Sequence, residues 1–168
     1  MNTALSSLLG EIKGAVDAGF YLMPVILAAA LPDICAAFES SDGQTNKKLY
    51  KEWYNAWASD ILTNFTAEDC YSFRCGVVHQ GRLGDMKSSF NRAIFPLPTP
   101  QQNTFMNCII NDAYFCGVEQ SCDSMITATT RWYEEKGSEQ DVANNLTRMM
   151  QIYPAGLTPY AVGIPLLA

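Results

Sequence analysis

Two side chains suited to phosphate chemistry lie five residues apart near the middle of the chain. They are Arg74 and His79, the only histidine present, within the segment Tyr71–Gly81 (YSFRCGVVHQG). An arginine keeps its charge at any working pH, whereas an imidazole exchanges a proton near neutrality. Cleavage of a phosphodiester without a metal needs a fixed cation to stabilise charge on the phosphate and a group that moves a proton. The pair therefore predicts a catalytic site of this kind.

The same segment supplies four side chains that could hold a phosphate or a base. They are Tyr71, Ser72, Cys75 and Gln80. We predict that these four residues contribute to substrate binding around the Arg74–His79 pair.

A purely structural role explains the same two residues differently. A histidine near a helix C-terminus can cap carbonyl groups and interact with the helix dipole. An arginine on a core helix can pair with an acid, for which Glu68, Asp69 and Asp60 are the candidates.

Composition predicts one folded domain spanning residues 1–168. Apolar residues make up 48% of the 168-residue chain, enough to build a core. The net charge of −6 argues against a broad nucleic-acid surface, which would be basic, but leaves room for a small local cleft.

The six cysteines do not form a metal-binding pattern. None belongs to a Cys-x-x-Cys pair, and no second histidine completes a mixed site, so we expect neither metal nor cofactor. Because the cysteines lie among apolar residues, we expect free thiols in a reducing compartment.

One apolar run, Phe20–Leu31, has the appearance of a targeting or membrane segment. It lacks a positively charged region before it and is too short to span a bilayer. We therefore expect a core helix in a cytoplasmic protein that does not contact a membrane.

Apolar spacing predicts six helices and a small two-stranded hairpin, a mainly α fold. The expected helices are Leu5–Phe20, Tyr21–Phe38, Lys47–Leu62, Thr66–Gly81, Tyr114–Lys136 and Asp141–Ile152, and Pro32 is expected to kink or divide the second of them. The expected strands, paired antiparallel, are Arg92–Leu97 and Thr104–Asn111. We expect a loop over Gly81–Ser89 and an irregular tail from about Pro154.

The helix that carries the pair has clear ends in the sequence. Thr66 precedes Glu68 and Asp69, an N-cap with acids in the first turn, and Gly81 ends the helix. Five residues along an ideal helix rotate by about 140°, so Arg74 and His79 do not share one face. They are expected to converge only if the helix loosens near its end or if a dimer joins two copies.

Three elements in order resemble the HEPN superfamily of helical proteins. They are the apolar helix containing Leu31–Cys35 (LPDIC), the aromatic helix Tyr50–Trp57, and Cys70–Gly81 with its Arg-x(4)-His motif. The resemblance is to a bacterial and mobile-element branch and covers roughly Tyr21–Lys136.

The resemblance implies an antiparallel helical bundle and a metal-independent endoribonuclease. It also implies a homodimer in which two Arg/His motifs meet across a twofold axis, with RNA as substrate and an antitoxin or neighbouring protein as partner. Active members often carry a polar residue after the arginine, where this chain has Cys75. That departure keeps open an alternative, a non-catalytic dimeric module that binds RNA, a nucleotide or a protein.

Overall fold

The computed structural model describes residues 1–82, 90–99 and 107–168. Six helices make up 55% of these residues, so the predicted mainly α class is confirmed. The helices are α1 (Thr3–Asp17), α2 (Leu22–Glu39), α3 (Lys47–Trp57), α4 (Ala67–Gln80), α5 (Val118–Lys136) and α6 (Gln140–Leu146). The strands are β1 (Arg92–Ile94), β2 (Cys108–Ile110), β3 (Ala113–Phe115), β4 (Ile152–Tyr153), β5 (Gly156–Leu157), β6 (Ala161–Val162) and β7 (Leu166–Leu167).

Helix α4 begins and ends where the sequence predicts. The Thr66 hydroxyl accepts a hydrogen bond from the Asp69 amide, and the Asp69 carboxylate accepts one from the Thr66 amide, so a capping box closes the first turn. Gly81 ends the helix in the left-handed conformation, with φ of 64°, which glycine adopts without steric cost. The sequence of α4 therefore fixes both of its ends.

Helix α2 lies at the centre of the fold. It packs against α1, α3, α4, α5 and α6, and it continues through Pro32 as one helix. By length and composition alone it could cross a membrane, yet here 44% of its apolar window is buried against the rest of the protein. Since Pro32 and Asp33 are both buried, α2 brings a proline and a carboxylate into the interior.

The aromatic face of α3 joins α2 to α4. Tyr50 and Trp53 are buried, which confirms that this stripe faces the core. The Tyr50 hydroxyl donates to the Ala29 carbonyl of α2 at 2.9 Å and lies 3.0 Å from the Cys70 sulfur of α4. Helices α2 and α4 therefore lie close to each other at this level.

The predicted pairing of two strands is wrong. Strand β1 pairs with β3 in parallel, and β2 pairs antiparallel with β3. Asn111 and Asp112 both have positive φ, 49° and 58°, which gives the tight turn that joins β2 to β3. Part of the predicted strand, residues 104–106, and most of the predicted loop 81–89 lie outside the described residues.

The strand β3 also shortens the next helix. Tyr114 and Phe115 belong to the sheet, and α5 begins only at Val118. Tyr114 stacks on Phe65 with ring centroids 4.6 Å apart, so packing draws these residues into the sheet despite their helical spacing.

The C-terminal residues are more regular than their prolines and glycines suggest. Helix α6 ends at Leu146, and residues 151–168 form a short antiparallel hairpin with β4 paired to β7 and β5 paired to β6. Gly156 and Gly163 take positive φ values of 92° and 81° along it. The glycines therefore let the chain turn back on itself, which composition alone did not reveal.

Candidate functional site

The arginine and the histidine of the motif touch within one chain. Arg74 Nη1 lies 3.2 Å from His79 Nε2. A guanidinium can only donate, so a hydrogen bond between these two atoms requires His79 Nε2 to accept it. Arg74 is largely covered while His79 is exposed. The pair therefore sets a fixed cation beside a proton acceptor at the end of α4.

The expectation that the pair needs a loosened helix or a dimer to converge is wrong. Helix α4 stays helical to Gln80, and both residues belong to the same copy. The backbone positions do differ by about 140°, but helix side chains lean toward the N-terminus and the arginine stem is long. His79 therefore leans back toward Arg74, and the guanidinium spans the remaining angle.

A residue that the motif did not predict, Asp33 of α2, holds the other side of the guanidinium. Arg74 Nε lies 2.5 Å from Asp33 Oδ2, with the two side chains 22% and 12% exposed. Within the described part of the chain, neither atom has a partner in hydrogen-bond geometry. The contact is therefore a close, mostly buried ion pair rather than a well-directed hydrogen bond.

Burial and the neighbouring guanidinium of Arg74 act on Asp33 in opposite directions. Burial raises the pKa of the Asp33 carboxyl above its ordinary value, while the Arg74 guanidinium pulls that pKa down; the net shift is upward. The carboxylate thus depends on Arg74 for its charge.

The three acids that the sequence offered as partners of Arg74 are each engaged elsewhere. Glu68 pairs with Lys47 and Lys51, at 2.5 Å and 2.9 Å. Asp69 closes the capping box of α4, and Asp60 pairs with Arg131 at 2.8 Å. A carboxylate inside an otherwise apolar helix was the one signal that could have identified Asp33, since buried acids are rarely unpaired.

Two of the predicted binding residues lie next to the pair. Cys75 is half-buried, with its sulfur 3.9 Å from Arg74 Nη1. Tyr71 is half-buried and packs edge-on against Tyr50, and Lys47 Nζ lies 5.3 Å from the centre of its ring. Burial and interaction with the Cys75 thiol raise the pKa of Tyr71. An aromatic ring and a second cation thus flank the site on the α3 side.

The other two predicted binding residues lie at opposite ends of this surface. Ser72 is half-buried one turn before Cys75, on the same side of α4. Gln80 is exposed, and its Oε1 accepts a hydrogen bond from Arg82 Nε at 2.7 Å. Ser72 therefore shares a helix face with Cys75, whereas Gln80 is already bonded to its neighbour beyond the helix end.

The grouping of possible metal ligands and the state of the cysteines bear on whether the site could hold a metal or a cofactor. In residues 1–82, 90–99 and 107–168, no three His, Cys, Asp or Glu side chains are grouped as a metal site requires. All six cysteines are unpaired, and four of them are buried.

Comparison with known proteins does not assign the chain to a family or a fold. No protein-family model, no curated protein and no solved structure matches it.

We expect Arg74→Ala to lower the free energy of unfolding by about 3 kcal/mol at neutral pH, because it leaves the Asp33 carboxylate buried without a counter-charge. Loss of the guanidinium also raises the pKa of Asp33 further, so the folded variant binds a proton more readily than its unfolded chain. The deficit relative to the wild type should therefore shrink as the pH falls through that raised pKa, and be largest above it. Urea unfolding at several pH values measures this.

Arg131→Ala is the matched control for this prediction. It breaks an ion pair of the same kind with Asp60, but on the surface, where the side chains are 44% and 59% exposed. We expect a loss below about 1 kcal/mol. A deficit in Arg74→Ala as small as the control's, or one that does not change with pH, would contradict the role given to Asp33.

Proposed function

We propose that the protein is a metal-independent endoribonuclease centred on Arg74 and His79, as its resemblance to HEPN proteins implies. The observation that carries this proposal is the 3.2 Å contact between the guanidinium and an exposed imidazole. A contact of this kind joins the two functions that phosphodiester cleavage needs, charge stabilisation and proton transfer.

The proposed reaction uses the ribose 2′-hydroxyl as nucleophile. His79 Nε2 accepts the hydroxyl proton while the 2′-oxygen bonds to phosphorus, and the bond from phosphorus to the 5′-oxygen breaks. The products are a 2′,3′-cyclic phosphate and a 5′-hydroxyl, whose proton comes from water or from a second imidazole. In the proposed homodimer, two motifs that meet across a twofold axis supply that second imidazole.

Arg74 changes partners during this reaction. In the free protein its Nη1 donates to His79, so an arriving phosphate takes that donor and releases Nε2 to act as the base. Asp33 holds Nε from behind throughout, which keeps the guanidinium oriented toward the helix end. Asp33 is thus a positioning residue that acts through Arg74.

Two observations favour a second candidate, a non-catalytic module that binds RNA, a nucleotide or a protein such as an antitoxin. The charge of Arg74 is already balanced by Asp33, and Cys75 stands where active HEPN proteins often have a polar residue. A thiol is a poor substitute for an amide or a carboxylate in orienting a phosphate.

Incubation of the purified protein with labelled single-stranded RNA in EDTA distinguishes the two candidates. We expect cleavage that the chelator does not change, with products ending in a cyclic phosphate. Fluorescence anisotropy on a substrate lacking 2′-hydroxyl groups measures binding separately. Binding without cleavage of the normal RNA would establish the second candidate, and cleavage that stops in EDTA would overturn the proposed chemistry.

A further inference from the structure

Four side chains of α4 form an accessible stripe that leads from His79 back toward the start of the helix. They are Glu68, Ser72, Cys75 and His79, whose spacings of four, three and four residues place them on one helix face. Each is half-buried or exposed. Arg74 reaches onto the same stripe, because its Nη1 lies 3.9 Å from the Cys75 sulfur and 3.2 Å from His79 Nε2. The stripe, which we call the α4 stripe, is about 16 Å long.

Two lysines of α3 gather at the far end of the α4 stripe. Lys47 Nζ lies 2.5 Å from Glu68 Oε1, and Lys51 Nζ lies 2.9 Å from Glu68 Oε2. Lys47 Nζ also lies over the ring of Tyr71, 5.3 Å from its centre, so this ammonium group sits above α4. The side chains of Lys47, Lys51 and Glu68 are 51%, 35% and 41% exposed. A ligand arriving from solvent can therefore reach both cations.

The Glu68 carboxylate lies where an incoming anion would bind. Each of its two oxygens contacts a different ammonium group, as two oxygens of a phosphate would. Two positive charges face one negative charge, so one positive charge is left uncompensated in a chain whose net charge is −6. Exposed ion pairs contribute little to stability, so a phosphate can replace the carboxylate at small cost. The cluster thus has the features of an anion site with a replaceable occupant.

A single strand of nucleic acid matches the two ends of the α4 stripe. Such a strand is a flexible chain of phosphates that can follow one cationic path along a surface. The proposed chemistry sets one phosphate at Arg74 and His79, and the lysines offer a place for another on the same helix face. Between them, the half-buried Ser72 can donate a hydrogen bond to a sugar or a phosphate oxygen. A free phosphate ion would fill only one of these places.

We propose that the α4 stripe binds a single RNA strand, with the scissile phosphate at Arg74 and His79 and a second phosphate of that strand between Lys47 and Lys51. This inference rests on the ribonuclease function proposed above. As the strand binds, the second phosphate takes both ammonium groups from Glu68. The two lysines do not touch the reacting atoms; they hold the strand and set its register on α4.

Fluorescence anisotropy on a labelled single-stranded RNA in which every 2′-hydroxyl is methylated measures binding without cleavage. We expect Lys47→Ala and Lys51→Ala each to weaken binding by about 10-fold, because each removes a charge-assisted hydrogen bond. The slope of log Kd against log salt concentration should fall by about 0.7 in each variant, the change expected when a single strand loses one phosphate contact.

Lys48→Ala is the matched control for the lysines. Lys48 follows Lys47 on α3 and carries the same charge, but it is 80% exposed and its nearest carboxylate is Glu52 at 3.8 Å. Its removal changes the net charge of the protein as much as the removal of Lys47 does. We expect this control to bind the methylated RNA as tightly as the wild type.

Glu68→Gln should have the opposite effect to the lysine variants. Hydrogen bonds from Lys47 and Lys51 lower the pKa of Glu68, so its carboxylate is charged at neutral pH and competes with the phosphate. Removing that charge should tighten binding by about 2- to 5-fold, the scale of exposed ion pairs. A purely structural cluster predicts instead that all three variants behave alike, since each breaks the same contacts. Circular dichroism should show every variant folded.

The proposal is overturned if Lys47→Ala binds as tightly as Lys48→Ala, if Glu68→Gln binds more weakly than the wild type, or if the wild type does not bind the methylated RNA. The ribonuclease function is tested separately, by cleavage of unmodified RNA in EDTA and its loss in His79→Ala. Where cleavage occurs, Lys47→Ala should need more RNA for half of its maximal rate yet reach the wild-type rate at saturation, because the lost contact is distant from the reacting bonds. Lysine-dependent binding without cleavage would retain the strand site and remove the ribonuclease function.

Discussion

We expect His79→Ala to reduce the rate of RNA cleavage by about 100- to 10,000-fold while the protein stays folded. The substitution removes the only imidazole in the chain, and with it the group placed to accept the 2′-hydroxyl proton. Because His79 is exposed at the last turn of α4, its loss should change the free energy of unfolding by no more than about 1 kcal/mol. Single-turnover cleavage in EDTA, with urea unfolding of the same preparation, measures both effects.

Val78→Ala is the matched control for the histidine. Val78 neighbours His79 in the same turn and is 45% exposed, so its truncation disturbs the helix end without touching the proposed chemistry. Cleavage by this control should match the wild type. If His79→Ala also retained wild-type activity, the base would have to be another group, and the proposal centred on this motif would fail.

Arg74→Lys should reduce cleavage by about 100-fold or more, although it keeps the positive charge. An ammonium offers a point charge in place of the planar fork that holds a phosphate at two points. The lysine still supplies a counter-charge for the buried Asp33, so the variant should avoid most of the instability expected of Arg74→Ala. Activity and stability are thus separated at one position.

Arg131→Lys tests whether such an exchange is harmful wherever an arginine forms an ion pair. Arg131 contacts Asp60 at 2.8 Å on the surface, distant in sequence from the motif. Cleavage by this control should be unchanged. Equal loss in both variants would point to a general effect of arginine replacement, and full activity in Arg74→Lys would rule out two-point phosphate binding.

The local features of the site could be predicted because they depend on neighbours in the chain. A threonine followed by two acids caps α4, and a glycine ends it, within a few residues of each boundary. The aromatic stripe of α3 repeats at helical spacing and faces the core as predicted. Each of these follows from hydrogen bonds or periodicity over a single turn of helix.

The pairing of the strands could not be predicted from local sequence patterns. β1 meets β3 in parallel across a long connection, and the turn at Asn111 and Asp112 joins two strands only three residues long. Short strands carry too few residues to show alternation, so their partners are decided by packing such as the stacking of Tyr114 on Phe65.

By itself, the sequence determined the helical class of the fold, the limits of α4 and the presence of an arginine and a histidine near its end. Only the tertiary structure decided that the two side chains meet in one copy, and that Asp33, 41 residues earlier, is the carboxylate that holds the arginine. The reason is that caps and periodicity arise within one helix. The partner of a buried charge, in contrast, is set by which helices pack together, and here α2 runs beside α4.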